Sequence, residues 1–298
     1  MGERPAVASI NTNRERNDLR ETSPPLRVST KGCEMGFANI IVEKDQDKGI
    51  TKIVMNRPQA SNALTGEMVA EIGQALSDAD RDSLMRVVIM TGKGKSFCAG
   101  ADLKYFKEQV STLRQQEEWY RWANKTMMNP LAQLSKPVIA AVNGACLGGG
   151  YEIMLACDLA IAAEDAIIAD QHLNFGLVGP GGSTPRTTWL LGPRKAKEVI
   201  LTGKRMSGRE AERIGLVNLA VPRDQLESAV QDMAINLAEK SPVGMRIAKA
   251  LINRALQVDF STAEQLEIMS AIVNATSEDY AEGVRSFAEK RKPIFKGK

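Results

Sequence analysis

From Ala38 onward, short apolar runs alternate with longer stretches in which apolar residues recur every three or four positions. Ala38 to Glu43 and Ile50 to Met55 are rich in β-formers and flank the polar stretch Asp45 to Gly49, so they predict two strands joined by a turn. Met68, Val69, Ile72 and Leu76 fall at helical spacing and predict a helix with one face in the core. Arg86 to Thr91 predicts a further strand. The charged, amphipathic segment from Lys104 to about Leu134 predicts a partly exposed helix. Pro137 to Val142 is a continuous apolar run, the pattern of a fully buried strand, and Leu159 to Ala162 and Ala166 to Ala169 read as two more strands. Strand and helix signals alternating in this order predict an α/β fold.

Beyond Arg194 the pattern turns almost wholly helical, over 195–202, 207–214, 225–240, 243–256, 262–274 and 277–290. Ser207 followed three residues later by Glu210 predicts a capping box. Residues 1–35 differ from the rest: Arg, Asn, Ser, Pro and Glu dominate without apolar periodicity, and disorder is expected there. The organisation expected is an N-terminal extension over 1–35, an α/β core over 36–230 and a helical C-terminal region over 231–298.

With 298 residues, 43% of them hydrophobic, the chain can bury a large core. A net charge of +3 is close to balance and argues against a nucleic-acid or membrane role. The basic stretches Lys93–Lys95 and Lys290–Lys298 are too short to reverse that. One histidine, His172, and four cysteines without a C-x-x-C pair argue against a structural metal site. So few cysteines fit reduced thiols, and no apolar run approaches the ~20 residues a membrane span needs. The N-terminal segment lacks an apolar h-region and carries Glu3, Glu15, Asp18 and Glu21, unlike a leader peptide. A cytoplasmic protein is expected.

The candidate chemistry lies where the buried run ends. Val142-Asn143-Gly144-Ala145-Cys146-Leu147-Gly148-Gly149-Gly150-Tyr151-Glu152 reads as strand, glycine turn and helix start. Consecutive glycines let the backbone come close to a ligand, and the first N–H groups of the new helix have no partner in it. Such a turn suits an oxygen that gains negative charge during a reaction, with Glu152 one turn further in. Ser96-Phe97-Cys98-Ala99-Gly100-Ala101-Asp102-Leu103 is a second small-residue stretch that permits close approach.

Together with Met55 to Leu64 (Met-Asn-Arg-Pro-Gln-Ala-Ser-Asn-Ala-Leu) and Glu282 to Arg291, these blocks resemble the enoyl-CoA hydratase/isomerase (crotonase) superfamily in content and order, over Ile40 to Lys298. The resemblance implies a spiral of ββα units followed by a helical C-terminal region that builds homotrimers, usually paired into hexamers. It also implies an acyl-CoA thioester as substrate, with coenzyme A entering as part of that substrate and no separate cofactor or metal. The family's oxyanion-hole N–H groups fall on Ala101 and Gly149. Ala63, Ala99 and Ala101 match backbone that holds adenine and pantetheine in relatives, and Lys104 is a candidate point charge for a phosphate. Phe287 and Lys290 match positions that close over the CoA; an ordinary amphipathic helix end explains them equally well.

Two departures stand out. Hydratases of the family hold water between two glutamates; the first falls on Glu152, but the second position is occupied by His172, in Asp170-Gln171-His172-Leu173-Asn174-Phe175. Histidine, with an unperturbed pKa of about 6.5, can deliver a proton to the α-carbon while Glu152 activates water. The replacement is also compatible with double-bond migration, thioester hydrolysis or decarboxylation, and Asp170 is a candidate to orient His172 or take the proton itself. The following loop, Gly179-Pro180-Gly181-Gly182, departs from the family's proline-then-glycine order, so the acyl group cannot be read from it. Tyr151 and Phe175 are candidates to line that pocket, with core packing the favoured job for both. The leading expectation is an enoyl-CoA hydratase-like lyase; the alternatives are an isomerase, a thioester hydrolase or decarboxylase, and a non-enzymatic RNA-associated homologue.

Overall fold

The structure, a computed structural model, describes residues 36–298; the expected extension over 1–35 lies outside the described residues. Strands β1 (Ile40–Asp45) and β2 (Ile50–Met55) pair as a hairpin and lead into α1 (Gly66–Arg81). Thr65 caps α1 by accepting from the Met68 N–H, and Met68, Val69, Ile72 and Leu76 are all fully buried, as their spacing predicts. Each such side chain contributes about 1.5–3 kcal/mol on burial.

The chain then repeats one unit: a strand in a large sheet, a short strand in a second sheet, and a helix. The first unit is β3 (Val87–Gly92), β4 (Ser96–Cys98) and α2 (Leu103–Gln109), extended by α3 (Leu113–Ala123), a π-helical turn Asn124–Met128 and α4 (Asn129–Gln133). The second is β5 (Val138–Val142), β6 (Ala145–Leu147) and α5 (Gly149–Ala156); the third is β7 (Leu159–Ala163), β8 (Ile167–Ala169) and α6 (Ser183–Thr202). After them come β9 (Met206–Ser207), α7 (Gly208–Arg213), β10 (Leu219–Val221), α8 (Leu226–Ala238), α9 (Pro242–Ala255), α10 (Phe260–Asn274) and α11 (Glu278–Ala288). The large sheet runs β1-β2-β3-β5-β7-β10, parallel from β2 onward, and the small one β4-β6-β8-β9. This is the ββα spiral.

Three details differ from expectation. The single helix expected over Lys104 to Leu134 is broken: α2 ends at Gln109, and a capping box between Thr112 and Gln115 starts α3 afresh. The helix expected from Lys195 begins at Ser183 and kinks at Gly192 (φ 73°), where Pro193 cannot donate to the ladder. The boundary expected near residue 230 falls within α8, whose Leu226, Val230 and Ala234 belong to the buried core. The capping box of Ser207 and Glu210 is present as expected. Among the described residues no helix is long and apolar enough to cross a membrane.

Candidate active site

Parallel strands β4, β6 and β8 lie side by side, and each ends in a loop that carries a candidate residue: Ala101 after β4, Gly149 after β6, His172 after β8. The register aligns Cys98 with Cys146 and Leu147 with Ala169, and the Gly148 N–H donates to Ala169 O (3.2 Å). Three loops at the carboxyl ends of adjacent parallel strands make a natural crevice.

Glycine at 150 lets the first turn of α5 press on β4: a Cβ there would lie 2.1 Å from Cys98 O. That contact brings the two candidate amides together, since a Cβ placed on Gly149 would lie 3.7 Å from Ala101 N, and one on Gly100 3.1 Å from Gly149 N. Among the described residues neither the Ala101 nor the Gly149 N–H donates to a backbone carbonyl. Two adjacent, uncommitted donors can stabilise one oxygen that becomes negative.

Glu152, one turn into α5, is buried and stands with its Oε2 4.0 Å from His172 Nε2. Its Oε1 accepts from the Gly181 N–H at 2.6 Å. Behind the imidazole, Nδ1 is 2.7 Å from Oδ1 of the buried Asp170, which also accepts the His172 N–H at 3.0 Å. A Cβ on Gly148 would lie 3.7 Å from His172 Nε2, so the ring borders the glycine turn that presents the Gly149 amide.

Burial pushes the Glu152 carboxyl above its ordinary range, against the charge of His172 and the N–H groups of Gly181 and Ser183. For His172, burial works downward, but the hydrogen bond to Asp170 and the charges of Glu152 and Asp170 outweigh it and hold the imidazole above its ordinary value. Asp170, although burial opposes its ionisation, is held below the usual carboxylate range by its bonds to His172. The group is a carboxylate, an imidazole and a supporting carboxylate in line.

The loop Gly179–Gly182 matters more than its sequence suggested. A Cβ on Gly181 would lie 2.6 Å from Glu152 Oε2, and one on Gly179 2.8 Å from both Glu152 Oε1 and His172 Cε1. Asn124 holds the loop by donating to Pro180 O (2.9 Å), as does Arg186 by donating to Gly181 O (2.6 Å). The sequence marks this loop for the acyl pocket and not for the support of Glu152, and nothing in the sequence points to Asn124 as its anchor.

The remaining candidates are more dispersed. Ala63 donates its N–H to Ala60 O, and its carbonyl accepts from the Arg57 guanidinium, leaving one lone pair for a ligand. Ala99 donates to Ser61 O at 3.0 Å. Lys104 is exposed on the first turn of α2. Phe287, 88% exposed, ends α11, and Lys290 follows it in a left-handed conformation (φ 54°); α11 packs on α9, and neither residue bonds to the group around Glu152. Tyr151 is a core residue, fully buried with its hydroxyl 2.8 Å from Thr187 Oγ1. The core packing favoured for Phe175 is not found: its side chain is 65% exposed. Among the described residues no group of three metal-ligating side chains is present.

Comparison with known proteins agrees with this architecture. The family model described as enoyl-CoA hydratase/isomerase matches residues 45–298. A mouse protein named enoyl-CoA hydratase domain-containing protein 2, mitochondrial, is 39% identical over 257 residues, 85% of this chain and 86% of the relative. A crotonyl-CoA hydratase of Syntrophomonas wolfei is 35% identical over 262 residues, covering 88% and 99% of the two chains. The crystal structure of an enoyl-CoA hydratase from Bacillus anthracis superposes with a TM-score of 0.82 at 37% identity, covering 87% of this chain and 100% of that one. The chain therefore belongs to the enoyl-CoA hydratase/isomerase family.

Proposed function

We propose that the protein is a lyase that adds water across the α,β double bond of an acyl-CoA thioester. One observation carries this reading: Glu152 Oε2 and His172 Nε2 are 4.0 Å apart, beside two uncommitted amides. Glu152, unprotonated, takes a proton from water as its oxygen bonds to the β-carbon. The π electrons move onto the thioester, and the resulting enolate oxygen rests on the N–H groups of Ala101 and Gly149. Protonated His172 gives its Nε2 proton to the α-carbon, the enolate collapses to the thioester, and Asp170 keeps the other ring proton on Nδ1 throughout. Transfer of a proton from Glu152 to His172, directly or through solvent, restores the starting state. Each amide is worth about 3 kcal/mol of barrier.

Coenzyme A enters as part of the substrate, with the backbone around Ala63 and Ala99, Lys104, and the Phe287–Lys290 end of α11 as its proposed contacts. The same reading has α10 bury its exposed Phe260, Met269, Ile272 and Val273 against a neighbouring copy in a trimer or hexamer. Sedimentation velocity tests that assembly.

Hydration of crotonyl-CoA, followed by loss of the conjugated thioester absorbance, tests the reaction. Wild type turns over, and Glu152→Gln and His172→Ala each fall by about 10² or more. Release of free CoA thiol, or conversion of a 3-enoyl-CoA without net water uptake, would replace the lyase with a hydrolase or an isomerase. An unchanged rate in His172→Ala would remove the histidine from the mechanism.

A further inference from the structure

We propose that Arg57 and Asp102 act as positioning residues that fix the orientation of the Ala101 amide. The proposal rests on the reading that this amide meets the thioester oxygen. Arg57 Nη2 is 3.0 Å from Asp102 Oδ2, with the two side chains 19% and 17% exposed, and its Nη1 donates to Ala63 O. Asp102 follows Ala101 directly and also starts α2, its Oδ1 accepting from Lys104 N (3.2 Å) and Tyr105 N (3.3 Å).

The segment 57–64 forms a template along the 96–102 stretch. Ala99 donates to Ser61 O, Leu64 donates to Gly100 O at 2.8 Å, and Asp102 donates to Leu64 O at 3.0 Å. The residues on both sides of Ala101 are thus held by Leu64, while the Ala101 N–H stays uncommitted. The template is itself rigidly held. Ser61 and Asn62 have φ values of 51° and 57°, unusual for residues with side chains. The buried Asn62 side chain supports that bend by accepting from Arg57 N (2.9 Å) and donating to Ser96 O (2.8 Å) and Lys93 O (3.1 Å).

Why the ion pair matters to the amide follows from the peptide geometry. The Ala101 N–H belongs to the plane shared with Gly100, whose φ of 99° lies where glycine meets no Cβ restraint. Nothing intrinsic to Gly100 sets the tilt of that plane; the Leu64 N–H restrains it through the Gly100 carbonyl, and a second restraint enters from the Asp102 side. There a planar guanidinium, already anchored to Ala63, bonds the carboxylate. Arg57 therefore couples the stretch proposed to hold CoA to the donor proposed to polarise the carbonyl.

The test uses butyryl-CoA, which has no double bond to hydrate, and the thioester carbonyl stretch in isotope-edited infrared difference spectra. Wild type is expected to lower that frequency on binding. Arg57→Met and Asp102→Asn are expected to lose much of the shift and about tenfold in kcat for crotonyl-CoA, less than the 10²–10³ lost with an entire donor. For Asp102→Asn, KM should change by no more than about twofold, the pattern of an interaction made in the transition state, whereas Arg57→Met also frees the Ala63 carbonyl and is read by kcat and the carbonyl shift. Arg57→Lys, which keeps the charge without the fork, should recover part of both and guards against misfolding of the Met variant. A folded Arg57→Lys and Asp102→Asn pair with wild-type shift and kcat overturns the positioning role alone. A wild-type enzyme that binds butyryl-CoA with no carbonyl shift overturns the proposed reaction site, and this role with it.

Discussion

Glu152 Oε2 and His172 Nε2, 4.0 Å apart, can both touch a single water oxygen at hydrogen-bond distance. Their shifts set a pH profile. Glu152, raised above 4.5 chiefly by burial, must be ionised to act as base, so activity rises as pH climbs through that raised value. His172 lies above 6.5 because its bond to Asp170 and the two nearby carboxylate charges outweigh burial. It must be protonated to act as acid, so activity falls as pH climbs through its own raised value. We expect a bell in kcat/KM with both limbs displaced upward from the free side chains, its two apparent values belonging to the pair. His172→Gln should remove the alkaline limb and keep the acid one. An alkaline limb below 6.5 would reverse the assigned roles.

Because His172 is the chain's single histidine, its protonation can be read without assignment. The imidazole C–H resonance should titrate above 6.5 in wild type. In Asp170→Asn it should titrate lower, since the bond and charge that oppose burial are gone. The same variant should lose about 10² in kcat, because a neutral amide no longer favours the imidazolium and can turn its NH2 to Nδ1, which puts the proton on the wrong nitrogen. A resonance that does not move would mean that Asp170 does not control the ring.

Much of this arrangement can be read from the chain, and the unreadable parts share a physical cause. Strands β2, β3, β5 and β7 have five or six residues, mostly apolar or β-branched, and are long enough to announce themselves. Strands β4 and β6 have three residues each and carry no period, so of the second sheet only β8 reads as a strand, and these two show through the small residues that follow them. Ala101, Gly149, Glu152 and His172 sit in local motifs. The Gly181 N–H that holds Glu152 comes from 29 residues away, and no local pattern encodes that contact. The break between α2 and α3 is a different case: Thr112 and Gln115 do spell a capping box, but a continuous amphipathic stripe outweighed it.

Space beside the carboxylate is limited enough to test. Gly181→Ala puts a methyl 2.6 Å from Glu152 Oε2, and Gly179→Ala puts one 2.8 Å from its partner oxygen. Each should displace the carboxylate and cost about 10²-fold in kcat with little change in melting temperature, because the loop can move outward. Gly150→Ala cannot be relieved in that way, since its methyl would meet the Cys98 carbonyl at 2.1 Å. That variant should lose folded protein rather than turnover, and differential scanning calorimetry beside activity separates the cases. Full activity in Gly181→Ala would show that Glu152 needs no fixed position.

Among the described residues of α9, the one that is buried is a lysine. Lys249 Nζ lies 2.7 Å from Asp158 Oδ2 and 3.0 Å from Lys136 O, and the same Asp158 oxygen accepts the Val138 N–H at 2.7 Å. The pair thus fastens α9 to the start of β5, the strand that leads into the glycine turn of the site. Burial pushes the Asp158 carboxyl upward, against the charge and hydrogen bond of Lys249. Lys249→Met leaves a carboxylate that is 21% exposed without its cation and should cost about 1–3 kcal/mol in urea unfolding. Replacing both partners, as Lys249→Met with Asp158→Asn, should recover most of the loss, because the amide still accepts from Val138 and no charge remains to desolvate. The comparison is made at one protein concentration, so that any self-association contributes equally to both variants. A single variant within about 1 kcal/mol of wild type would place the pair with surface ion pairs, and the docking of α9 would then rest on its apolar contacts alone.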